Sequence, residues 1–334
     1  MYRAEQLKSR ELAMSCIVPI HNESSNIKPF ITALSKKIHS HTNVFEIIIV
    51  DDGSDDNSQE IIMQQIMPHN PAVKLITFSR NFGKESALTA GLDEVNGEVA
   101  ILIDADFQHP IDVIDIFLQE WVAGYDMVYG VMDNRKNESI LKRWITSAFY
   151  WIMRHVGEIS IPSNAGDFRL LDRSVIDALN LCHERSRFMK GLYAWVGFKS
   201  KKIVFSVKKR RAGQSSWHIL RLANLAVAGI VSFSDLPLRF CAVVGLLLSF
   251  IAGISVIYIV LDTLITGARN LPGYPTLLAA IVFFSGMQLL FLGVLGEYIS
   301  CIFREVKKRP KYIVAKKKGF ENDNASNIAD DKSK

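Results

Sequence analysis

A chain of 334 residues, 49% of them apolar, is long enough for one sizeable α/β domain and something smaller. Cys16, Cys182, Cys241 and Cys301 are scattered without a Cys-x-x-Cys pair, which argues against a zinc site or a disulfide framework and agrees with a reducing compartment. The net charge of +5 comes from basic runs beside the apolar stretches, so it points to a membrane surface and away from nucleic acid.

In chain order, strands are predicted at Ser15–Ile20, Phe45–Val50, Val73–Phe78, Val99–Ile103 and Asp126–Tyr129. Helical patterns at Asn26–His39, Ser58–Met67, Lys84–Val95 and Ile111–Trp121 run between them. Such alternation means a mainly parallel sheet covered on both faces. Pro110 suits the first turn of its helix and Gly124 its stop. Further along, Ile140 to Val156 and Trp217 to Ser232 carry apolar residues at helical spacing with basic residues beside them, as interface helices or as core-facing ones.

Phe240 to Leu261 and Asn270 to Gly296 contain no charged residue. The first is 22 residues, roughly 33 Å as a helix, and in the second Pro272 and Pro275 suit a loop, leaving Thr276 to Gly296 as the span. Both are expected to cross a bilayer. Lys307, Lys308, Arg309, Lys311 and Lys316 to Lys318 follow the second span, whereas the loop between spans has only Arg269 as a cation, so the tail should be cytoplasmic. Two crossings put the N-terminal domain on the same side. No secretory signal is expected ahead of it, because the first apolar run, Cys16 to Ile20, is too short and leads straight into His-Asn-Glu.

The chemistry gathers at the carboxyl ends of the predicted strands: Pro19–Glu23, Asp51–Ser54, Ser79–Lys84 and Asp104–His109. In open α/β sheets that edge binds ligands. Asp104-Ala105-Asp106 offers two hard oxygen ligands one residue apart, suited to Mg²⁺ or Mn²⁺ with coordination positions left for a nucleotide diphosphate. Taken alone, paired acids also sit on solvated turns, and Asp-Asp-Gly-Ser is an ordinary turn before a helix cap. Neither Gly-x-Gly-x-x-Gly nor a P-loop motif occurs, which disfavours an ordinary dinucleotide fold or P-loop.

Six segments in this order, Val18-Pro-Ile-His-Asn-Glu23, Val50-Asp-Asp-Gly-Ser-Asp55, Ser79-Arg-Asn-Phe-Gly-Lys84, Asp104-Ala-Asp-Phe-Gln-His-Pro110, Gly166-Asp-Phe-Arg169 and Arg210-Arg-Ala-Gly-Gln-Ser215, resemble the polyprenyl-phosphate glycosyltransferases. The resemblance runs from about Met14 to Lys311 and is nearest to the bactoprenol glucosyltransferases of O-antigen modification. It implies a GT-A-like, mainly parallel sheet flanked by helices, then amphipathic interface helices and two transmembrane helices. It also implies that Pro19, His21, Glu23 and Asp52 hold the base and ribose of a nucleotide sugar, while Asp51 supports the turn. Asp104, Asp106 and Gln108 would bind Mg²⁺ or Mn²⁺, with Ala105 between them in the cofactor site and His109 shaping the turn before Pro110. Asp167 and Asp106 take the catalytic roles, Asp167 on the acceptor side. Arg169, Arg210 and Ser215 would grip phosphate, a guanidinium being able to do so through two parallel hydrogen bonds. Arg135 either replaces the arginine that relatives carry where this chain has Met132 or is a surface charge, and Asp167 with Arg169 could instead be a buried ion pair.

The activity implied is inverting, metal-dependent transfer of a hexose, glucose from UDP-glucose first, to undecaprenyl phosphate at the cytoplasmic face of a bacterial inner membrane. GDP-mannose or a UDP-aminopentose are the alternative sugar donors. A transporter or flippase component with a nucleotide-sensing sheet is the alternative class, disfavoured by spans without intramembrane charge. The expected division is a catalytic domain over 1–235, a two-helix membrane region over 236–303, and a basic, partly disordered tail over 304–334. Expected partners are the nucleotide sugar, undecaprenyl phosphate, membrane lipids and further copies of the chain, a tetramer being what the resemblance offers, with no nucleic acid.

Overall fold

The structure, a computed structural model, describes residues 2–132, 165–185, 187–205, 236–266 and 273–320. Arg135, Arg210, Ser215, the two amphipathic stretches and the loop between the long apolar segments lie outside the described residues. What is described falls into two compact units: a sheet with its helices, rejoined by the chain from Arg309 onward, and a unit holding two long helices.

In the first unit the elements are α1 (Tyr2–Ser9), β1 (Met14–Ile20), α2 (Ile27–His39), β2 (Phe45–Asp51), α3 (Ser58–Ile61), β3 (Val73–Phe78), α4 (Lys84–Asp93), β4 (Val99–Leu102), α5 (Val113–Val122), β5 (Met127–Met132), β6 (Ala165–Asp172), α6 (Arg173–Leu181), α7 (Met189–Trp195) and β7 (Ser200–Phe205), with β8 (Val314–Lys318) at the far end of the chain. All eight strands form one sheet in the order β7-β5-β6-β4-β1-β2-β3-β8. The four strands β4, β1, β2 and β3 are parallel neighbours. All seven positions of β1 are buried, which explains why it reads as an unbroken apolar run instead of alternating.

Two kinds of helix cover the faces. Ile27, Phe30, Ile31, Leu34 and Ile38 on α2, and Val113, Ile114, Phe117, Leu118 and Trp121 on α5, are the apolar stripes of amphipathic helices, and both stripes join the main core. On α4 the buried residues include Ala87, Ala90 and Gly91, so this helix lies close against β1. A Cβ at Gly91 would come 2.3 Å from Ile17 Cγ2, hence only glycine permits that approach. The segment read as one helix over Ser58–Met67 is a short α-helix followed by a π turn at Ile62–Ile66 and a 3₁₀ turn at Met67–His69. Pro68, lacking an N–H, ends the regular ladder.

Three strands were not expected. β6 runs antiparallel between β4 and β5, β7 adds to β5 in parallel, and β8 closes the other edge antiparallel to β3. The predicted strand at Asp126–Tyr129 is real, but it reaches the parallel set only through β6.

In the second unit, α8 spans Leu236–Thr266 and α9 spans Tyr274–Val306. Pro275 sits in the first turn of α9, where its missing N–H costs nothing, so the helix begins earlier than expected and continues beyond Gly296. Among the described residues one helical stretch, Ala280–Val306, is long and apolar enough to cross a membrane, and α8 contains a shorter apolar run, Phe240–Ser255. Large apolar side chains on both point outward, Leu246, Phe250 and Leu289 among them.

Residues 309–320 strap the first unit. Ile313 accepts from the Ser79 N–H (3.0 Å), Tyr312 donates to Asp93 Oδ2 (2.8 Å), and Lys317 pairs with Glu94 (2.5 Å). The Tyr312 ring stacks on Phe78 (5.0 Å, 16°), which meets Phe82 edge-on (5.7 Å). Stacking and a hydrogen bond to a carboxylate together contribute about 2 kcal/mol. Tyr312→Ala should therefore speed hydrogen exchange at the Ser79 amide by up to about thirtyfold, and Tyr312→Phe by less. Unchanged exchange in Tyr312→Ala would free the loop after β3 from the strap.

Candidate active site

The end of β1 and the end of β2 make the first part of the site. Pro19 pairs with Val50 and Ile20 with Asp51, so the two following turns leave the sheet side by side. They are stitched together: the Asn22 N–H donates to Ser54 Oγ (2.9 Å) and the Asp55 N–H to Asn22 Oδ1 (2.9 Å). Asn22 takes the left-handed conformation (φ 59°), which asparagine tolerates. Asp51 is fully buried and its Oδ1 accepts from Ser54 N and Oγ, closing its own turn.

Asp52 faces inward as well. Its carboxylate accepts the N–H groups of Phe82 (2.7 Å) and Gly83 (2.9 Å), so it anchors the loop after β3. Burial lifts its pKa above the ordinary value against those two hydrogen bonds. Gly53, with φ +66°, is pressed against that same loop, where a Cβ would fall 2.5 Å from the Arg80 carbonyl carbon. His21 has an exposed ring whose Nδ1 lies 3.1 Å from the Asp52 carbonyl oxygen. Glu23 Oε2 accepts from Asn26 Nδ2 (2.8 Å). Pro19, His21, Glu23 and Asp52 thus come together at the adjoining ends of β1 and β2, with Asp52 anchoring the loop after β3.

The second part joins β4 to β6. In the antiparallel ladder Val99 faces Asp172 and Leu102 faces Arg169. Continuing that register by two residues sets Asp167 opposite Asp104. Lys84, the first residue of α4, closes the pair: its Nζ lies 2.7 Å and 2.8 Å from the two oxygens of Asp104 and 2.9 Å from Asp167 Oδ2. Burial opposes all three charges, yet their mutual attraction dominates, holding both carboxyls below and the ammonium above their ordinary ranges. Asp167 Oδ1 is buried with no hydrogen-bond partner.

Around Asp104 the chain turns sharply. Phe107 is left-handed (φ 60°) and is held by its edge-on packing against Phe30 (5.2 Å). The Gln108 N–H donates to Asp106 Oδ1 (3.0 Å). Ala105 points its methyl into the hydrophobic core, so any part it takes in a cofactor site is through its backbone. His109, expected only to shape the turn, is buried against Phe168 (5.0 Å) and Phe205 (5.6 Å) and brings Nε2 to 3.4 Å from Asp104 Oδ2. Among the described residues no three His, Cys, Asp or Glu side chains enclose a metal by themselves. A Mg²⁺-type ion held by one or two carboxylates keeps its other positions for water and phosphate, which matches this edge.

Arg169 lies on the same face of β6 as Asp167 but beneath the surface. It is 2% exposed, its guanidinium 3.9 Å from the Tyr193 ring centre and 5.2 Å from that of Tyr129, with Nε donating to the Gly166 carbonyl (3.1 Å). In this arrangement it presents no fork to solvent; it is a buried cation whose field acts on Asp167 and Glu85. Glu85 Oε2 accepts from the Met189 N–H (3.1 Å) and so ties α4 to α7. Burial first, then the charge of Asp167, raise its pKa to about 7. Sequence reading placed Lys84 in a strand-end motif without a role of its own and passed over Glu85, Tyr193 and the contact of His109; the run Phe82-Gly83-Lys84-Glu85 at a helix start was the available signal for the first two.

A cavity of about 840 Å³ opens at the opposite, amino ends of the strands, lined by Phe45, Glu46, Lys74 and Lys317. Glu46 there already accepts from Ser15, Lys74 and Asn96, so its charge is satisfied internally.

Residues 15–179 match the family described as glycosyl transferase family 2, and residues 236–302 match the GtrB C-terminal hairpin. An uncharacterized glycosyltransferase of Synechocystis sp. is 39% identical over 93% of this chain and 97% of its own length. A prophage-derived bactoprenol glucosyl transferase of Shigella flexneri is 41% identical over 91% of this chain and 98% of its own. The solved glucosyl-3-phosphoglycerate synthase of Mycobacterium tuberculosis, with Mn²⁺ and UDP-glucose, aligns over 69% of this chain and 80% of its own at 16% identity and TM-score 0.44, too loosely to carry an argument about ligands. The strand-end acids, the GT-A-like sheet and end-to-end likeness to these relatives make the chain a glycosyltransferase, a member of glycosyl transferase family 2.

Proposed function

We propose that the chain transfers a hexose, glucose from UDP-glucose, onto undecaprenyl phosphate at the cytoplasmic face of the membrane, with inversion and with Mg²⁺ or Mn²⁺. The observation that carries the chemistry is the meeting of Asp104 and Asp167 on one cation, Lys84 Nζ, at the carboxyl edge of the sheet. An acidic edge that already gathers a positive charge on Asp104 suits a divalent ion at that carboxylate. The bactoprenol relatives, similar over nine tenths of the chain, support the acceptor.

Asp104 and Asp106 would hold the metal, with Gln108 beside them, and the bound ion would neutralise the donor diphosphate as its bond to the anomeric carbon breaks. The electron pair of that bond leaves with the nucleoside diphosphate, and an acceptor phosphate oxygen forms the new bond from the opposite face. That phosphate, with a second pKa near 6, is already largely a dianion at neutral pH, so no strong base has to remove a proton. Pro19, His21, Glu23 and Asp52 border the pocket for base and ribose, Asp52 by fixing the loop that carries Lys84. Asp167 orients the acceptor side, its charge balanced from below by buried Arg169. Arg135, Arg210 and Ser215 are the proposed outer phosphate contacts.

Both α8 and α9 are taken as membrane spans in this reading. The match of the hairpin family to residues 236–302 supports it, as do the outward apolar side chains. A reporter after Lys318 should then read cytoplasmic and one inserted between Ala268 and Gly273 periplasmic; the reverse would part the catalytic unit from its nucleotide sugar.

Purified protein given undecaprenyl phosphate and a panel of labelled nucleotide sugars should make lipid-linked glucose from UDP-glucose in preference to GDP-mannose or a UDP-aminopentose. Asp104→Asn should lower transfer by about a hundredfold or more, and EDTA should stop it until Mg²⁺ or Mn²⁺ returns. Asp167→Ala should still bind the nucleotide sugar yet fail to transfer. Full activity of Asp104→Asn in EDTA would end the metal reading.

The buried acid behind the site gives a pH signature. Glu85 has a folded pKa of about 7 against an ordinary 4.5, so the fold binds its proton more tightly than the unfolded chain does. Stability from this group is complete below pH 4.5 and declines as pH rises to about 7. Glu85→Gln removes that decline. Thermal unfolding between pH 4.5 and 8 should show a shallower loss in the variant, and equal slopes would clear Glu85 of the effect.

A further inference from the structure

Among the described residues Lys84 is the one lysine or arginine in direct contact with both acids, with His109 Nε2 beside it at 3.4 Å from Asp104 Oδ2, and its geometry has two sides. Both oxygens of Asp104 are occupied by the same ammonium, at 2.7 and 2.8 Å. A carboxylate gripped in that way has to release at least one oxygen before a divalent ion can use it. The lysine can leave: its side chain is 42% exposed and its four-carbon stem has several rotatable bonds. It also has a second anchor at Asp167 Oδ2 (2.9 Å), so it can give up Asp104 and keep one partner.

We propose that Lys84 is a resident counter-cation that occupies Asp104 in the metal-free protein and is displaced from it when a divalent ion binds. The proposal rests on the reading that Asp104 is a metal ligand. Its consequence is a competition. With the lysine in place, Asp104 and Asp167 are kept close without repelling each other, and the site is preformed; the entering ion must then break two short contacts to the ammonium. Metal affinity is lower than the bare acids would give, and the ion is released more easily once the nucleoside diphosphate departs.

A series at this one position tests the idea without any turnover. Mn²⁺ binding to the full-length protein in detergent, without nucleotide, is followed by loss of the free-ion paramagnetic resonance signal. Lys84→Met should bind Mn²⁺ at least about tenfold more tightly than wild type. Lys84→Arg should bind it severalfold more weakly, because a guanidinium fork holds a carboxylate more firmly than an ammonium does. Should the methionine variant fail to fold with two uncompensated acids, Lys84→Met/Asp167→Asn, which removes one charge of each sign, should still bind more tightly than wild type. A lysine that merely supports the fold would not order the affinities in this way. Equal or weaker binding in both methionine variants would overturn the proposal while leaving Asp104 as a ligand, whereas no binding by any of the proteins would overturn the metal reading and the proposal together.

Discussion

The antiparallel insertion of β6 between β4 and β5 is the constraint on which the site depends. Four parallel strands alone would deliver Pro19, Asp52 and Asp104 to one edge, each at the end of its strand. A strand running the other way delivers its beginning to that edge instead. Because Leu102 faces Arg169, the acid two residues before Arg169 meets the acid two residues after Leu102. Two carboxylates in such proximity repel strongly where water is scarce, and the structure answers with Lys84 between them. The ladder ends at Leu102 and Arg169 and aims the two chains at each other, and Lys84 bridges the acids just beyond it.

The same inversion explains how far the sequence could be read. Parallel strands buried on both faces leave a strong local mark, an apolar run with a helix after it, and β1 to β4 were legible for that reason. So were the strand-end acids. β6 carries Asp167 and Arg169 within its run and so lacks that mark, and its partners are distant in the chain, 34 to 44 residues away in β5 and 67 to 73 in β4. β8 is Val-Ala-Lys-Lys-Lys, which reads as a basic flank; its strand character comes from the open edge of β3, not from its own residues. Lys84 and His109 could be seen as members of motifs, but their contact with Asp104 depends on how α4 and the turn before Pro110 pack. Pro275 was read as a loop residue because proline breaks helices in their interior; at the first turn it does not.

Arg169 shows how a residue singled out by its motif can hold an unexpected position. A guanidinium sandwiched by two tyrosines and surrounded by backbone is a poor hand for an incoming phosphate, but it is an effective fixed charge. It carries the positive field from beneath the sheet face toward Asp167 and Glu85, while Lys84 supplies it from above. Charges gathered this closely are costly unless they are balanced: Lys84, Lys190 and Arg169 offset Asp104 and Asp167, and burial beside Asp167 lifts the pKa of Glu85 to about 7.

That balance bears on why Glu85 should be an acid at all. As a neutral carboxyl it still accepts the Met189 N–H that ties α4 to α7, so the tie does not require its charge. Lys84 and Glu85, consecutive residues at the start of one helix, serve the acidic pair in complementary ways: Lys84 places its charge on Asp104 and Asp167, and Glu85 makes a tie to α7 that its neutral form keeps, so no further negative charge need be added beside them.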